Sequence, residues 1–306
     1  MRNRLQRRYA RYWQLYVFLL IPVVYILIFN YYPMLGLQIA FKKFNFKGGI
    51  WGSPWVGLYQ FRKFLNAYQF KLVLKNTLVL SAYSILAAFP FPILFALTLN
   101  VIQAKKFKKF AQTVTYIPHF ISVVVLVGML MQIFHPLTGV YGALARALTG
   151  STPADLLASP STFPHMYVWS GVWQGFGYNS ILYLAALSGV SAELHEAAEI
   201  DGASRLQRVI HIDFPAILPT VTIMLIMRMG SVMSLGFQKI YLMQNTLNLS
   251  TSEVISTFVY KKGLASGAGN DYSYSTAIGM FNSVINLLLL VCVNGVSRKL
   301  SENSLW

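Results

Sequence analysis

The chain has 306 residues, of which 56% are hydrophobic and 11% charged, with a mean hydropathy of +0.53. Soluble domains carry about 25% charged residues, so this composition excludes two soluble domains and favours one polytopic membrane domain. The formal net charge of +16 does not indicate a nucleic-acid partner, because basic residues in membrane proteins flank helices and meet anionic lipid headgroups.

Six apolar stretches have the length of about 20 residues that crossing a bilayer requires. They cover residues 13–32, 72–100, 114–134, 166–187, 216–235 and 276–296. The predicted organisation is a basic tail at 1–12, a single transmembrane domain at 13–296 and a C-terminal tail at 297–306. We expect the first stretch to be a retained helix rather than a signal peptide, because no small-residue cleavage site follows it.

The basic residues favour a cytoplasmic location for both termini, since short cytoplasmic segments are enriched in lysine and arginine. This orientation places on the cytoplasmic side Arg2, Arg4, Arg7, Arg8, Arg11, Lys105, Lys106, Lys108, Lys109, Arg205, Arg208, Arg298 and Lys299. The outer segment 33–71 is also basic, but long translocated segments count less toward topology. Its many aromatic residues suit either anchoring at the membrane interface or docking of an external partner.

The fourth stretch carries polar residues that a lipid-facing helix would not need. Polar groups within a membrane are costly and usually face a cavity or a partner helix. Gln174 and Tyr178 are four residues apart, and Gly175 is three before Tyr178, so all three share one helix face. Glycines spaced by four also serve helix packing, but packing does not explain two tryptophans, a glutamine and a tyrosine. Aromatic rings surrounded by polar groups suit a sugar ligand.

The segment between the fourth and fifth stretches, at about 190–215, is too polar for the membrane. Ser191 is placed to cap a first short helix, and Gly202 is placed to end it, because glycine adopts backbone angles that other residues avoid. A second short helix is expected to end near Phe214, since the residue before a proline disfavours helix. The sequence therefore predicts two short helices at an angle, projecting into the cytoplasm.

This hairpin carries a spaced motif: Glu-Ala-Ala at 196–198, three residues, glycine at 202, nine residues, then Ile-x-x-Pro at 212–215. It resembles the EAA loop of binding-protein-dependent ABC transporter permeases, with phenylalanine at 214 where leucine is usual. The ATPase-coupling residues that the resemblance implies are Glu196, Ala197, Ala198, Asp201, Gly202 and Ala203.

The resemblance implies an all-α type I importer permease with six transmembrane helices, whose EAA hairpin sits in a cleft of a separate ATPase. Closure of two ATPase copies would switch two permease subunits, expected to be a heterodimer, from inward-open to outward-open. The complex would lie in the plasma membrane of a bacterium. An extracellular lipid-anchored solute-binding protein would deliver the sugar to it. The chain would not be an enzyme and would need no cofactor, with ATP and Mg²⁺ bound by the partner, since the sequence has no Gly-x-x-x-x-Gly-Lys-Ser/Thr phosphate loop.

Segments 51–58, 271–277, 281–284 and 297–306 resemble the branch of the family that handles complex carbohydrates in Gram-positive bacteria. In the maltose-type permeases, which the chain also resembles, the matching parts of spans four and five line the sugar site. The implied substrate path is formed by Trp173, Gln174, Gly175, Tyr178, Asn179 and Arg228.

Two membrane residues remain open to alternatives. Arg228 lies within the fifth stretch, where it would either pair with a partner helix or snorkel, or bind the ligand, for example a uronate carboxylate. His119 would either relay protons or pack beside Pro118. A secondary transporter would need carboxylates within the spans, and a membrane enzyme would need a nucleophile–base or metal cluster. The six stretches contain neither, which favours the importer.

Overall fold

The structure, a computed structural model, describes residues 12–300, apart from the side chains of Ala268, Lys299 and Leu300. The arginines of the predicted N-terminal tail, from Arg2 to Arg11, and residues 301–306 of the predicted C-terminal tail lie outside the described residues. The chain forms two compact units, whose described parts are residues 12–66 with 260–280 and residues 67–259 with 281–300.

The described part of the chain is helical and contains no strand. The principal helices are α1 (Trp13–Ile26), α2 (Tyr59–Leu65), α3 (Tyr68–Ala88), α4 (Pro90–Val101), α5 (Lys105–Tyr116), α6 (Val123–Ile133), α7 (Val140–Thr149), α8 (Phe163–Leu187), α9 (Ala192–Ile200), α10 (Arg205–Arg208), α11 (Phe214–Gly230), α12 (Phe237–Met243), α13 (Ile255–Tyr260) and α14 (Tyr272–Leu300). Wider π-helical turns extend α1 at Leu27–Tyr31, join α10 to α11 at Val209–Asp213 and follow α13 at Lys261–Ala265.

Four helical runs among the described residues are long and apolar enough to cross a membrane, namely Trp13–Phe41, Tyr68–Val101, Arg205–Gly230 and Tyr272–Arg298. A fifth is formed if the bent pair Lys105–Phe120 and Val123–Ile133 counts as one span. These match five of the six predicted stretches. The remaining one corresponds to α8, whose 25 residues are long enough, but whose polar residues make it less apolar than the others.

The third predicted stretch, at 114–134, is not the single uninterrupted helix that its hydropathy suggested. Its helix begins at Lys105, passes through a tighter turn at Ile117–Phe120 and bends by 98° before α6. Ser122 restarts the helix, because its side chain accepts a hydrogen bond from the backbone N–H of Val125 at 3.3 Å. Pro118 has no N–H to donate to the preceding turn, so helix continuity is weakest here.

The first unit consists of α1, the segment that follows it, and the start of α14. None of the residues of α1 is buried. The following segment folds around Lys42, which is 2% exposed and donates from Nζ to the carbonyl oxygen of Ile50 at 2.7 Å. The ring centroid of Trp55 lies 4.8 Å from the same ammonium. Lys42 is therefore a structural residue of this unit, since its charge is hydrogen-bonded and faces an aromatic ring.

In the second unit α8 is the central helix and packs against α3, α4 and α11. One apolar cluster is centred on Phe163, Val168 and Ile240, each 3% exposed or less. A second cluster joins Ala96 of α4 and Ile217 of α11. These clusters hold α8 in place, so that its polar residues face defined neighbours.

Candidate functional site

The first helix of the predicted hairpin, α9, has the boundaries that the sequence indicated. The Ser191 side chain accepts a hydrogen bond from the N–H of Glu193 at 3.2 Å and so caps the helix. Gly202 ends it with φ of +79°, a left-handed conformation that glycine adopts without strain. The N–H groups of Ala203 and Gly202 donate back to the carbonyl oxygens of Ala198 and Glu199, at 2.8 and 3.1 Å. This Schellman arrangement satisfies the last carbonyls of the helix.

The second helix of the hairpin does not end near Phe214, as the sequence predicted. The helix starts with a capping box between Ser204 and Gln207 and runs without a break from Arg205 to Gly230. Phe214 has helical angles, and its N–H donates to the carbonyl of Val209, five residues back. The widened turn before Pro215 accommodates the ring and the missing N–H, so the helix continues past the proline.

Three polar contacts hold the hairpin to itself and to α4. Arg208 forms an ion pair with Glu199 at 2.8 Å, joining the two hairpin helices. Asp213, only 2% exposed, lies 3.3 Å from Nε2 of His195 and accepts a hydrogen bond from the Asn100 amide at 3.2 Å. A buried carboxylate with partners on both sides fixes the widened turn relative to α9 and α4. The roles of Asp213, His195 and Asn100 were not predicted from the sequence, although an acidic residue beside the Pro215 motif was a signal.

The predicted coupling residues occupy one end of the hairpin. Glu196 and Ala197 are exposed on α9, and Asp201 and Gly202 are exposed at the turn, whereas Ala198 and Ala203 are half-buried. The small residues at 197 and 198 leave α9 without bulk on part of its surface. The hairpin therefore presents a firm, exposed projection that another protein surface could enclose.

The predicted sugar-facing residues of α8 do not all meet in one place. The Gln174 amide donates to the carbonyl of Ile121 at 2.8 Å, at the bend before α6. The ring of Tyr178 stacks on His119 with centroids 3.8 Å apart and planes inclined by 1°. His119 therefore has the packing role that the sequence left open. Trp173 remains 45% exposed, on a surface with space for a ligand or another chain.

Gly175 lies beside Asn179 on α8. A Cβ at Gly175 would come within 3.1 Å of the amide nitrogen of Asn179, so a larger residue there would press on that side chain. Asn179, in turn, lines a cavity with Met224 and Arg228 of α11. The geometry thus separates Asn179 from Gln174 and Tyr178.

Arg228 and Asn179 line a small cavity of about 10 Å³, the size of one water molecule, together with Tyr183, Phe89 and Met224. Arg228 is exposed and also lines a second cavity of about 170 Å³. Four serines line this second cavity: Ser81, Ser84, Ser231 and Ser234. The sequence analysis missed them and Tyr183, but serines three residues apart within two apolar stretches were a detectable signal of a polar interior.

In the described range of the chain, no cluster of three or more histidine, cysteine or acidic side chains could hold a metal ion. The arrangement therefore offers hydrogen bonds, one guanidinium charge and a protruding hairpin, which suit binding and movement.

Residues 88–302 match the family described as "Binding-protein-dependent transport system inner membrane component". The matched region contains the hairpin, α8 and Arg228. The chain belongs to this family. It is a multi-pass membrane protein and a transporter permease rather than an enzyme.

Characterised relatives cover nearly the whole permease. It is 38% identical over 308 aligned residues to the "Polygalacturonan/rhamnogalacturonan transport system permease protein YteP" of Bacillus subtilis (strain 168), covering 100% of this chain and 94% of that one. A crystal structure of a bacterial ABC transporter involved in import of the acidic polysaccharide alginate has a chain that superimposes with a TM-score of 0.89 at 37% identity, covering 97% of this chain and 99% of that chain. A second structure of an alginate ABC transporter, in complex with an alginate pentasaccharide-bound periplasmic protein, gives a TM-score of 0.89 at 36% identity, covering 99% and 100%. The type I importer permease fold expected from the EAA motif is thereby confirmed.

Proposed function

We propose that this permease carries an acidic oligosaccharide into a bacterial cell, driven by ATP hydrolysis on partner subunits. Two of its relatives transport polygalacturonan or alginate according to their descriptions, which supports a uronate-containing substrate. The observation that carries the proposal is the unbroken helix Arg205–Gly230. It joins the predicted coupling hairpin directly to Arg228, the one arginine in the predicted substrate path.

The hairpin is the part on which the ATPase would act. Its capped ends and the Arg208–Glu199 ion pair make it resist deformation, so a push on Glu196 or Ala197 would move the whole element. A helix transmits such a movement along its axis better than a loop would, because each turn is hydrogen-bonded to the next. ATP and Mg²⁺ would be bound by two copies of an ABC ATPase.

The complete importer would also contain a second, different permease and an extracellular lipid-anchored solute-binding protein. A single chain supplies one coupling hairpin, whereas two ATPase copies offer two clefts. The charge distribution supports a cytoplasmic location for both termini in the bacterial plasma membrane. An alginate transporter solved with its sugar-loaded periplasmic protein supports the delivery step.

The substrate would pass along the surfaces that Asn179 and Arg228 line. Arginine stays charged at any physiological pH, and its planar guanidinium binds a carboxylate through two parallel hydrogen bonds. The four serines beside Arg228 would contact sugar hydroxyl groups. Gln174, Gly175 and Tyr178, which share one face of α8, would shape the path from the bend together with Trp173.

The test is uptake by the assembled importer in proteoliposomes, with the second permease, the ATPase and the binding protein present. We expect ATP-dependent accumulation of labelled oligogalacturonides, and much weaker accumulation of the same oligosaccharides after reduction of their carboxyl groups. Equal uptake of both would contradict the acidic preference. Accumulation without ATP would contradict the proposed energy source.

A further inference from the structure

The first unit contains an open cleft of about 630 Å³ between the segment 43–63 and the segment 269–273. Its volume lies within the ~300–1,000 Å³ of typical small-ligand pockets, so it has room for part of an oligosaccharide. In the proposed orientation both segments lie outside the cell. The cleft belongs to neither the coupling hairpin nor the predicted substrate path.

One wall of the cleft is aromatic. The rings of Phe44, Phe46 and Tyr272 contact one another edge-to-face, with centroids 5.5 to 5.8 Å apart. Phe46 is 80% exposed in spite of these contacts. Clustered rings with an open side offer a flat apolar surface, on which the C–H face of a sugar ring packs without losing its hydroxyl hydrogen bonds.

A buried acceptor also faces this cleft. Gln60 on α2 is 4% exposed, and its Oε1 atom has no hydrogen-bond partner among the described residues. An unpaired buried amide oxygen is unfavourable until a donor reaches it. A rotation of the Gln60 side chain toward the cleft would let a sugar hydroxyl donate to Oε1 and still accept from a neighbour.

Two lysines give the cleft its charge. Lys63 is held by Asp271 at 2.8 Å and lies over the ring of Tyr274 at 4.5 Å, so its charge is already compensated. Lys43 lines the cleft and is exposed, and it takes part in none of the ion pairs found within residues 12–300. Its ammonium group is therefore available for an anionic ligand.

We propose that this cleft is an outer binding subsite for an acidic oligosaccharide, where Lys43 binds a uronate carboxylate, Gln60 accepts from a hydroxyl and the Phe46–Tyr272 wall stacks on a ring. The inference rests on the proposed function, because only an importer of acidic sugars would meet such a ligand at its outer face. The subsite would hold the oligosaccharide as the solute-binding protein releases it.

The experiment measures binding of a fluorescent oligogalacturonide to the assembled importer in lipid nanodiscs, without ATP and without the solute-binding protein. We expect Lys43→Gln to weaken binding about tenfold, the scale of one charge-assisted hydrogen bond. Phe46→Ala and Gln60→Leu should also weaken it, whereas Lys47→Gln should not. Lys47 is the matched control, since it is exposed in the same segment but does not line the cleft.

The same variants made in an Arg228→Gln background separate the two sites. Lys43→Gln should weaken oligogalacturonide binding in that background as well. Unchanged affinity in all cleft variants would overturn the proposal. It would also be overturned if the variants weakened docking of the sugar-free binding protein but left sugar binding intact, since the cleft would then be a protein-docking surface. The importer could bind the sugar in a Lys43-dependent way and yet show no ATP-dependent uptake. That result would support the subsite and contradict only the proposed function.

Discussion

Arg228 is the residue at which the membrane cavities and the coupling helix coincide. With a rise of ~1.5 Å per residue, Arg228 lies roughly 35 Å along the helix from its start at Arg205 in the hairpin. Its guanidinium is shared between the cavity that contains Asn179 and the one lined by serines. A movement of the helix would therefore shift this charge relative to both cavities.

We expect Arg228→Gln to reduce uptake of acidic oligosaccharides by tenfold or more, since a hydrogen bond to a charged group is worth ~1.5–3 kcal/mol. Uptake of neutral oligosaccharides should change little. For acidic oligosaccharides, uptake by Arg228→Lys should lie between that of the wild type and that of Arg228→Gln, because lysine keeps the charge but not the planar pair of donors. Met227→Ala, at an exposed neighbouring position, is the control. Normal uptake of both sugars by both Arg228 variants would exclude a ligand contact.

Lys239 is a second charged residue with an unusual environment. It lies on α12, between the candidate spans that end at Gly230 and begin at Tyr272, and is 8% exposed. Its Nζ donates to the carbonyl of Tyr167 at 2.9 Å. Burial disfavours the charged form and lowers the pKa of Lys239 from 10.5 to about 8.

This shift predicts a pH-dependent stability. Between pH 8 and 10.5 the unfolded chain binds the Lys239 proton more strongly than the folded chain, so the free energy of unfolding should rise with pH, by up to about 3 kcal/mol. Below pH 8 the contribution is constant. Thermal unfolding in detergent should show this rise in the wild type and in Lys71→Met, an exposed control, but not in Lys239→Met. A rise that persists in Lys239→Met would contradict the assignment.

At the scale of elements, the hairpin and the broken third span show what sequence patterns convey. The ends of α9 were predictable because Ser191 and Gly202 act locally. Ser191 caps the first turn with its side chain, and Gly202 adopts the left-handed angle that ends the helix. The end near Phe214 was wrong, because the proline rule is local and a widened turn absorbs the ring. The 98° bend after Phe120 was not predicted from hydropathy. The residues on both sides of the bend are apolar, and hydropathy does not report the direction in which a helix runs. The contacts of Gln174 at that bend depend on tertiary packing.

The hairpin turn gives a prediction that separates structure from coupling. Gly202→Pro should abolish uptake while leaving membrane insertion intact, because proline fixes φ near −65° and the turn needs +79°. Gly202→Ala is the matched variant: its Cβ would meet nothing within 4 Å, so only about 1–2 kcal/mol of backbone strain remains. It should keep partial uptake.

Glu196→Arg tests the exposed surface of the same hairpin, since this side chain is exposed on α9. We expect normal folding and loss of sugar-dependent transport. Uptake assays measure the transport, and co-purification of the ATPase measures whether the hairpin still binds it. Normal uptake together with ATPase binding at the wild-type level, in Gly202→Pro or Glu196→Arg, would show that the hairpin does not couple the two proteins.

At the scale of the whole molecule, the fold class and family followed from composition and one motif, whereas the assembly did not. We predict that the working unit contains a second, different permease. The chain reconstituted with the ATPase and binding protein alone should show no ATP-dependent uptake, and adding the second permease should restore it. Native mass spectrometry should find one copy of each permease with two ATPases. A functional importer built from two copies of this chain would contradict the heterodimer.

The helix α1 has a consequence for how the subunit is made. Not one of its residues is buried within the chain, although its apolar run extends from Trp13 to Phe41. A newly inserted chain would thus expose α1 to lipid until another chain covers it. We expect surplus copies, in which α1 stays exposed, to be degraded. The cellular amount of this protein would then follow the supply of whatever chain covers α1, rather than its own rate of synthesis.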